Sequence, residues 1–181
     1  MSLVMPGYRW RKPEPTDVEA IYAYRNAVEV TSGVGGFSTG MSRADVLSWI
    51  EHHRTSRNTE VWIIADPATD EAVGHGGYYA IDYRRGKAEL GLALAPSQHG
   101  RGQGGRCLAY LCDYAFKQLR LHRLETFNLA TNGKIVTIKR GLGFTLEGTM
   151  RDYQYKNGEY VDVNVMAILS TEWAGVPEKY R

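Results

Sequence analysis

Leu94-Ala-Pro-Ser-Gln98-His99-Gly100-Arg101-Gly102-Gln103-Gly104-Gly105 is the stretch on which the reading of this chain turns. Four glycines fall within six residues, directly ahead of a segment with helical periodicity. Leu108, Leu111, Cys112, Ala115 and Leu119 recur at the spacing of one helix face, so the helix should run to about Leu119 and lie on a sheet. Glycine lets the backbone turn tightly and aim successive N–H groups at one point. The first turn of a helix adds four unpaired N–H groups and a partial positive charge. Together these features predict a seat for an anion, most often a phosphate.

Working outward, the segments around this loop read as a mixed sheet with helices on its faces. Residues 61–65, 72–81 and 88–95 are expected strands joined by short turns, which implies antiparallel neighbours. Upstream, a short strand over 8–12 precedes a helix from about residue 17 to about Val28, capped by Thr16 or Asp17. A glycine-rich loop over 31–40 follows, then a helix capped by Ser42 with Val46, Leu47 and Ile50 on its apolar side. Downstream come a strand over 122–129, a helix opened by Asn132, and a hairpin of residues 144–155 and 160–169. The hairpin turn contains Asn157-Gly158, the strongest short signal of its kind. The order is β-α-α-β-β-β-α-β-α-β-β, an α/β (α+β) arrangement with a mostly antiparallel sheet.

The chain has 181 residues, enough for one domain (residues 1–181, core about 8–173). A net charge of +2 gives no broad electrostatic case for nucleic acid or an anionic membrane. Nothing reads as a signal peptide or a spanning helix. Cys107 and Cys112 have neither metal-ligand nor disulfide-framework spacing and read as reduced thiols of a cytoplasmic protein. The five histidines show no metal-ligand spacing either, so no metal is expected.

Three ligands compete for the glycine loop. A phosphate-binding P-loop needs Lys-Ser/Thr after its last glycine, and here Arg106-Cys107 follows. A dinucleotide fingerprint is met literally by Gly100, Gly102 and Gly105, with Glu125 at the acidic position, which would make the chain an oxidoreductase. Its context is wrong, because residues 96–99 separate strand from glycine and meander strands precede it. The third ligand is coenzyme A, its diphosphate on the loop and its pantetheine arm along the strand. A helix start without any ligand is the remaining option.

At this point the sequence resembles the GNAT N-acetyltransferase superfamily, in particular the branch of ribosomal-protein N-terminal and spermidine acetyltransferases. His99-Gly100-Arg101-Gly102-Gln103-Gly104 stands where the family has (Gln/Arg)-x-x-Gly-x-(Gly/Ala), departing at its first position, with Gln98 adjacent. The segment from Asn132 to Leu142-Gly143-Phe144 looks like the family's asparagine-opened helix. Glu147-Gly148, Arg151-Asp152-Tyr153, Asn157-Gly158 and Tyr160-Val161-Asp162-Val163 are similar to the branch's final hairpin. The resemblance implies acetyl transfer from acetyl-CoA to a primary amine, by direct attack through a tetrahedral intermediate. A non-catalytic acyl-CoA-binding module is the other outcome it leaves open. It also implies that Leu92, Ala93 and Leu94 pair with pantetheine through backbone groups, that Asn132 hydrogen-bonds the same chain, and that a homodimer forms.

Residue chemistry fills in part of the reaction. Leu90, Leu92 and Leu94 should share one strand face, and Glu89, Gly91, Ala93 and Ala95 the other. Gly91 there signals a bulge or a close approach. Glu89 is the one carboxylate on the small face and the candidate base; a salt bridge to Arg84, Arg85 or Lys87 is the alternative. Arg101 offers charge to a phosphate or is plain surface. Asn132 also suits a helix cap. Lys139 stands where many relatives carry a tyrosine acid, and Ile135 where this branch sometimes has serine. A lysine there donates a proton, sits near phosphates, or lies in solvent. The acceptor that the resemblance implies is a small-molecule or peptide amine. With no acidic residue over 31–40, a polyamine is the less favoured choice.

Overall fold

The computed structural model describes residues 5–33 and 40–181. They form one seven-stranded sheet in the order β1-β2-β3-β4-β5-β7-β6. The strands are β1 (Arg9–Arg11), β2 (Glu60–Ala65), β3 (Ala72–Asp82), β4 (Lys87–Leu94), β5 (Arg123–Leu129), β6 (Thr145–Lys156) and β7 (Glu159–Leu169). Every pairing is antiparallel except β4 with β5. The expected meander is there: the short turns between β2, β3 and β4 leave no room for a crossover. At the hairpin tip Asn157 and Gly158 have φ of 52° and 91°, the left-handed pair that a two-residue turn requires.

Both faces of the sheet are covered, and β2 shows why Val61 to Ala65 are all apolar. Trp62 and Ile64 point into a large core with α4 (Gln103–Lys117) and α5 (Gly133–Arg140). Ile63 and Ala65 point the other way, into a second core with Ile21 and Tyr24 of α1 (Val18–Arg25) and Val46 and Ile50 of α3 (Arg43–Thr55). Full burial of each such aliphatic side chain stabilises the fold by about 1.5–3 kcal/mol.

Three local expectations need correction. The first helix does not run unbroken to Val28: Ala27 is extended (ψ 136°) and splits it into α1 and a single turn, α2 (Val28–Thr31). Neither Thr16 nor Asp17 caps α1 through its side chain. The Asp17 carboxylate instead accepts from the Glu14 N–H at 2.8 Å and pairs with Arg11 at 2.6 Å. Leu47 is 42% exposed, since α3 turns only Val46 and Ile50 fully inward. The Ser42 cap is present as expected, its hydroxyl accepting from the Asp45 N–H at 3.1 Å. Residues 34–39 of the glycine-rich loop lie outside the described residues.

Candidate active site

The site begins where β4 and β5 part. They pair over three positions only, Lys87↔Arg123, Ala88↔Leu124 and Glu89↔Glu125. β4 runs on to Leu94 and β5 to Leu129, so beyond Glu89 the two strands fork. Backbone groups of β4 on this side therefore have no partner strand. A cleft of about 1700 Å3 fills the fork and extends over the glycine loop. That volume exceeds an ordinary small-molecule pocket of roughly 300–1,000 Å3 and suits a long cofactor together with a second substrate.

The strand faces are as expected. Leu90 and Leu94 are buried in the α4 core and Leu92 packs against it. Gly91 marks a close approach and no bulge: a Cβ there would lie 2.6 Å from the Tyr79 ring. Tyr79 is the cross-strand neighbour of Glu89, and its ring crosses the small face of β4. Ala93 lines the cleft beside it.

At the end of β4, the His99 ring closes back on its own strand, Nε2 donating to the Leu94 carbonyl at 2.9 Å. Gly100 and Gly102 adopt φ of 77° and 72°. A Cβ on Gly100, Gly102 or Gly104 would meet no atom within 4 Å. The hydrogen-bond ladder of α4 starts with the Arg106 N–H donating to Gly102, so the N–H groups of Gln103, Gly104 and Gly105 leave the helix end. This is the geometry of an anion seat. Gly105 differs from its neighbours, because its Cβ would lie 2.2 Å from the Tyr180 hydroxyl. Its small size admits the C-terminal turn, which Arg106 also holds by donating to the Tyr180 carbonyl at 3.1 Å. Arg101 is exposed and off the cleft wall; every other predicted site residue lines it.

The opposite wall carries Asn132 and Lys139. Asn132 accepts from the Ile135 N–H at 3.3 Å and donates to the Gly33 carbonyl at 3.1 Å, capping α5 and tying it to the end of α2. Lys139 is not a solvated lysine: it is 5% exposed and donates to Asn128. Burial pulls its pKa down to about 7. Across the fork, burial raises the pKa of Glu89, with Lys139 opposing and Glu125 adding to the shift. Glu89 forms no ion pair among the described residues, because Arg85 pairs with Asp82 and Lys87 with Glu125.

The end of the cleft nearest α1 and α3 holds residues that sequence patterning did not single out. Arg25, Trp49, His75 and Tyr79 line it, with the Arg25 guanidinium 5.2 Å from the Trp49 ring centre. His75 is 6% exposed and hydrogen-bonded to the Tyr24 hydroxyl at 2.8 Å, and burial holds its pKa well below the ordinary value.

The model of the acetyltransferase (GNAT) domain matches residues 9–145. The uncharacterized N-acetyltransferase p20 of Bacillus licheniformis is 29% identical over 91% of this chain and 94% of its own length. Spermidine N(1)-acetyltransferase of Vibrio cholerae is 27% identical over 71% of this chain and 75% of its own. The crystal structure of a Vibrio cholerae spermidine N-acetyltransferase with CoA and spermine superposes with a TM-score of 0.84 at 24% identity, covering 92% of this chain and 97% of that one. Among the described residues no helix is long and apolar enough to cross a membrane, and no cluster of side chains has the makeup of a metal site. By its matched domain, the chain belongs to the GNAT acetyltransferase family.

Proposed function

We propose that this chain moves the acetyl group of acetyl-CoA onto the nitrogen of a primary amine, by direct attack of the amine on the thioester. The observation that carries the reading is the fork between β4 and β5, which ends on three glycines open to solvent at the head of α4. The residues fit the cofactor. Gly100, Gly102, Gln103 and Gly104 would take the diphosphate through main-chain N–H groups, with the Arg101 charge near by. Leu92, Ala93 and Leu94 would run beside pantetheine with their unpaired backbone groups. His99 holds loop to strand, and Asn132 borders the same path. Acetyl-CoA supplies an acyl group already activated as a thioester.

The protein's own part is to deprotonate the amine and keep water out. Glu89 is the base, reached directly or through one water. Its raised pKa brings a carboxylate nearer the range useful at neutral pH. Arg25 puts positive charge at the acceptor end, which supports an amine of low net charge, such as a peptide N-terminus, an amino acid or a small amine, over a polyamine. Buried Cys107 and Cys112 suit a reducing cytoplasm. A second copy of the chain is the proposed partner for the hairpin tyrosines Tyr153, Tyr155 and Tyr160, and sedimentation tests it.

Calorimetry with CoA, then thiol release from acetyl-CoA across a panel of amines, tests the reading. Binding and turnover with at least one amine are expected. Binding without turnover would make the chain an acyl-CoA-binding module, and a nicotinamide cofactor bound in place of CoA would make it an oxidoreductase.

A further inference from the structure

We propose that the acceptor is a free amino acid, its carboxylate received by Arg25 and its amine by Glu89. This rests on the acetyl-transfer reading above and names the class of amine that reading leaves open.

The first ground is where the fold sets the two charges. Register puts Tyr79 of β3 opposite Glu89 of β4, and His75 opposite Ala93. The Tyr79 ring lies over Gly91, so a phenol covers the strand just past Glu89. α3 then packs two more rings on this face. His53 meets Tyr79 edge-on at 5.5 Å between ring centres, and Trp49 meets His53 at 4.6 Å and His75 at 4.9 Å. These four rings make one continuous wall. The half-buried Arg25 of α1 lays its guanidinium on that wall, 5.2 Å from the Trp49 ring centre. Arg25, Trp49, Tyr79 and Glu89 all line the same cleft. A cation and a carboxylate therefore face one cavity with an aromatic surface between them.

The second ground is the sign of the charge at each end. The two imidazoles of the wall are neutral near pH 7, because burial lowers His53 to about 4 and holds His75 well below its ordinary value. Burial also raises both phenols, Tyr79 to about 12, so Tyr24 and Tyr79 keep their protons. The guanidinium supplies the positive charge here, as a planar fork that matches a carboxylate. Glu29, the other acid lining the cleft, lies toward Asn132 and Lys134. An amino acid brings the complementary sign to each end, ammonium to Glu89 and carboxylate to Arg25, and it enters with no net charge. A peptide N-terminus would offer Arg25 a neutral amide instead, and a polyamine would offer it a second ammonium. The ring wall gives the substrate side chain an apolar surface.

The test uses the full chain and thiol release from acetyl-CoA at about pH 8. Each of a panel of amino acids, phenylalanine among them, is compared with its own amide and its decarboxylated amine. The acid should exceed both by ~10-fold or more in kcat/KM, the scale of a charge-assisted hydrogen-bonded pair. The amide's amine, near the ~8 of a chain terminus, gives up its proton more readily than the amino acid's, so amine ionisation works against this preference. Arg25→Gln should bring the acid-to-amide ratio to within about threefold of one. Arg25→Lys, which keeps the charge without the fork, should retain part of the ratio. An arginine that only props Trp49 would slow acid and amide alike and leave the ratio where it was. A ratio unmoved in Arg25→Gln therefore overturns the assignment. So does an amide, a decarboxylated amine, a short peptide or spermidine turned over by the natural protein as well as the best amino acid, and this arm needs no variant to fold. Each of these results leaves acetyl transfer standing. No turnover of any amine overturns both.

Discussion

Gly104→Ala should push stability and cofactor affinity in opposite directions. Gly104 sits in the first turn of α4, and a methyl group built on it meets no atom within 4 Å. The native fold therefore accepts alanine without strain. Removing a helical glycine then gains about 0.5–1 kcal/mol, chiefly by restricting the unfolded chain. For a domain of this size that is a rise in Tm of roughly 1–4 °C. The same methyl projects into the space before the helix end, where a phosphate oxygen must come within about 2.7–3.0 Å of a main-chain N–H. The expected loss of CoA affinity is at least tenfold, about 1.4 kcal/mol. Neighbouring glycines are poorer probes. Gly102 has φ of 72° and would be strained as alanine, and at Gly105 the methyl would strike Tyr180. Thermal denaturation without ligand and calorimetry with CoA give the two numbers. A raised Tm with unchanged CoA affinity would refute the placement of the diphosphate on this loop.

Other outcomes follow from the same geometry. Glu89→Gln should lower turnover near neutral pH by ~10²-fold with CoA affinity intact, and unchanged turnover would remove Glu89 from the reaction. Lys139 titrates near 7 in the folded protein against an ordinary 10.5, so between those values the unfolded chain holds the extra proton and stability rises with pH. The gap caps this effect at roughly 5 kcal/mol. Denaturant titrations at pH 7 and pH 9.5 should show the rise in the natural protein and a flatter response in Lys139→Met. Asn132→Ala removes a helix cap and the bond to Gly33, and should cost about 1 kcal/mol, with faster amide exchange in the first turn of α5.

The parts of the molecule set by local chemistry were legible before any coordinates. The glycine run, the Asn157-Gly158 turn and the Ser42 cap each encode their geometry within a few residues. Alternation along β4 separated the leucine face, which packs on α4, from the small face that the Tyr79 ring crosses. What escaped notice depends on distant partners. No glycine or proline marks the break at Ala27, where the Asn26 side chain is tied to the distant Met41 backbone by two hydrogen bonds. Lys139 enters the candidate site only through the family resemblance, because its charge alone reads as surface. Only the separation of β4 from β5, three segments away in sequence, makes the interior space that receives it. Arg25, Trp49, His75 and Tyr79 come from α1, α3 and β3, and nothing local announces that they share a wall.

Among the described residues, three paired positions of the sheet ladder link the block of β1 to β4 to the block of β5 to β7. Leu108 and Leu111 of α4 share one buried core with Leu90 of β4 and with Leu124 and Met166 of β5 and β7. The helix thus works as a clasp between two halves that the ladder alone joins weakly. A molecule seated at the head of that helix and along the open edge of β4 would fasten the clasp. Local opening in hydrogen exchange should therefore begin at this seam and be suppressed there first as CoA is added.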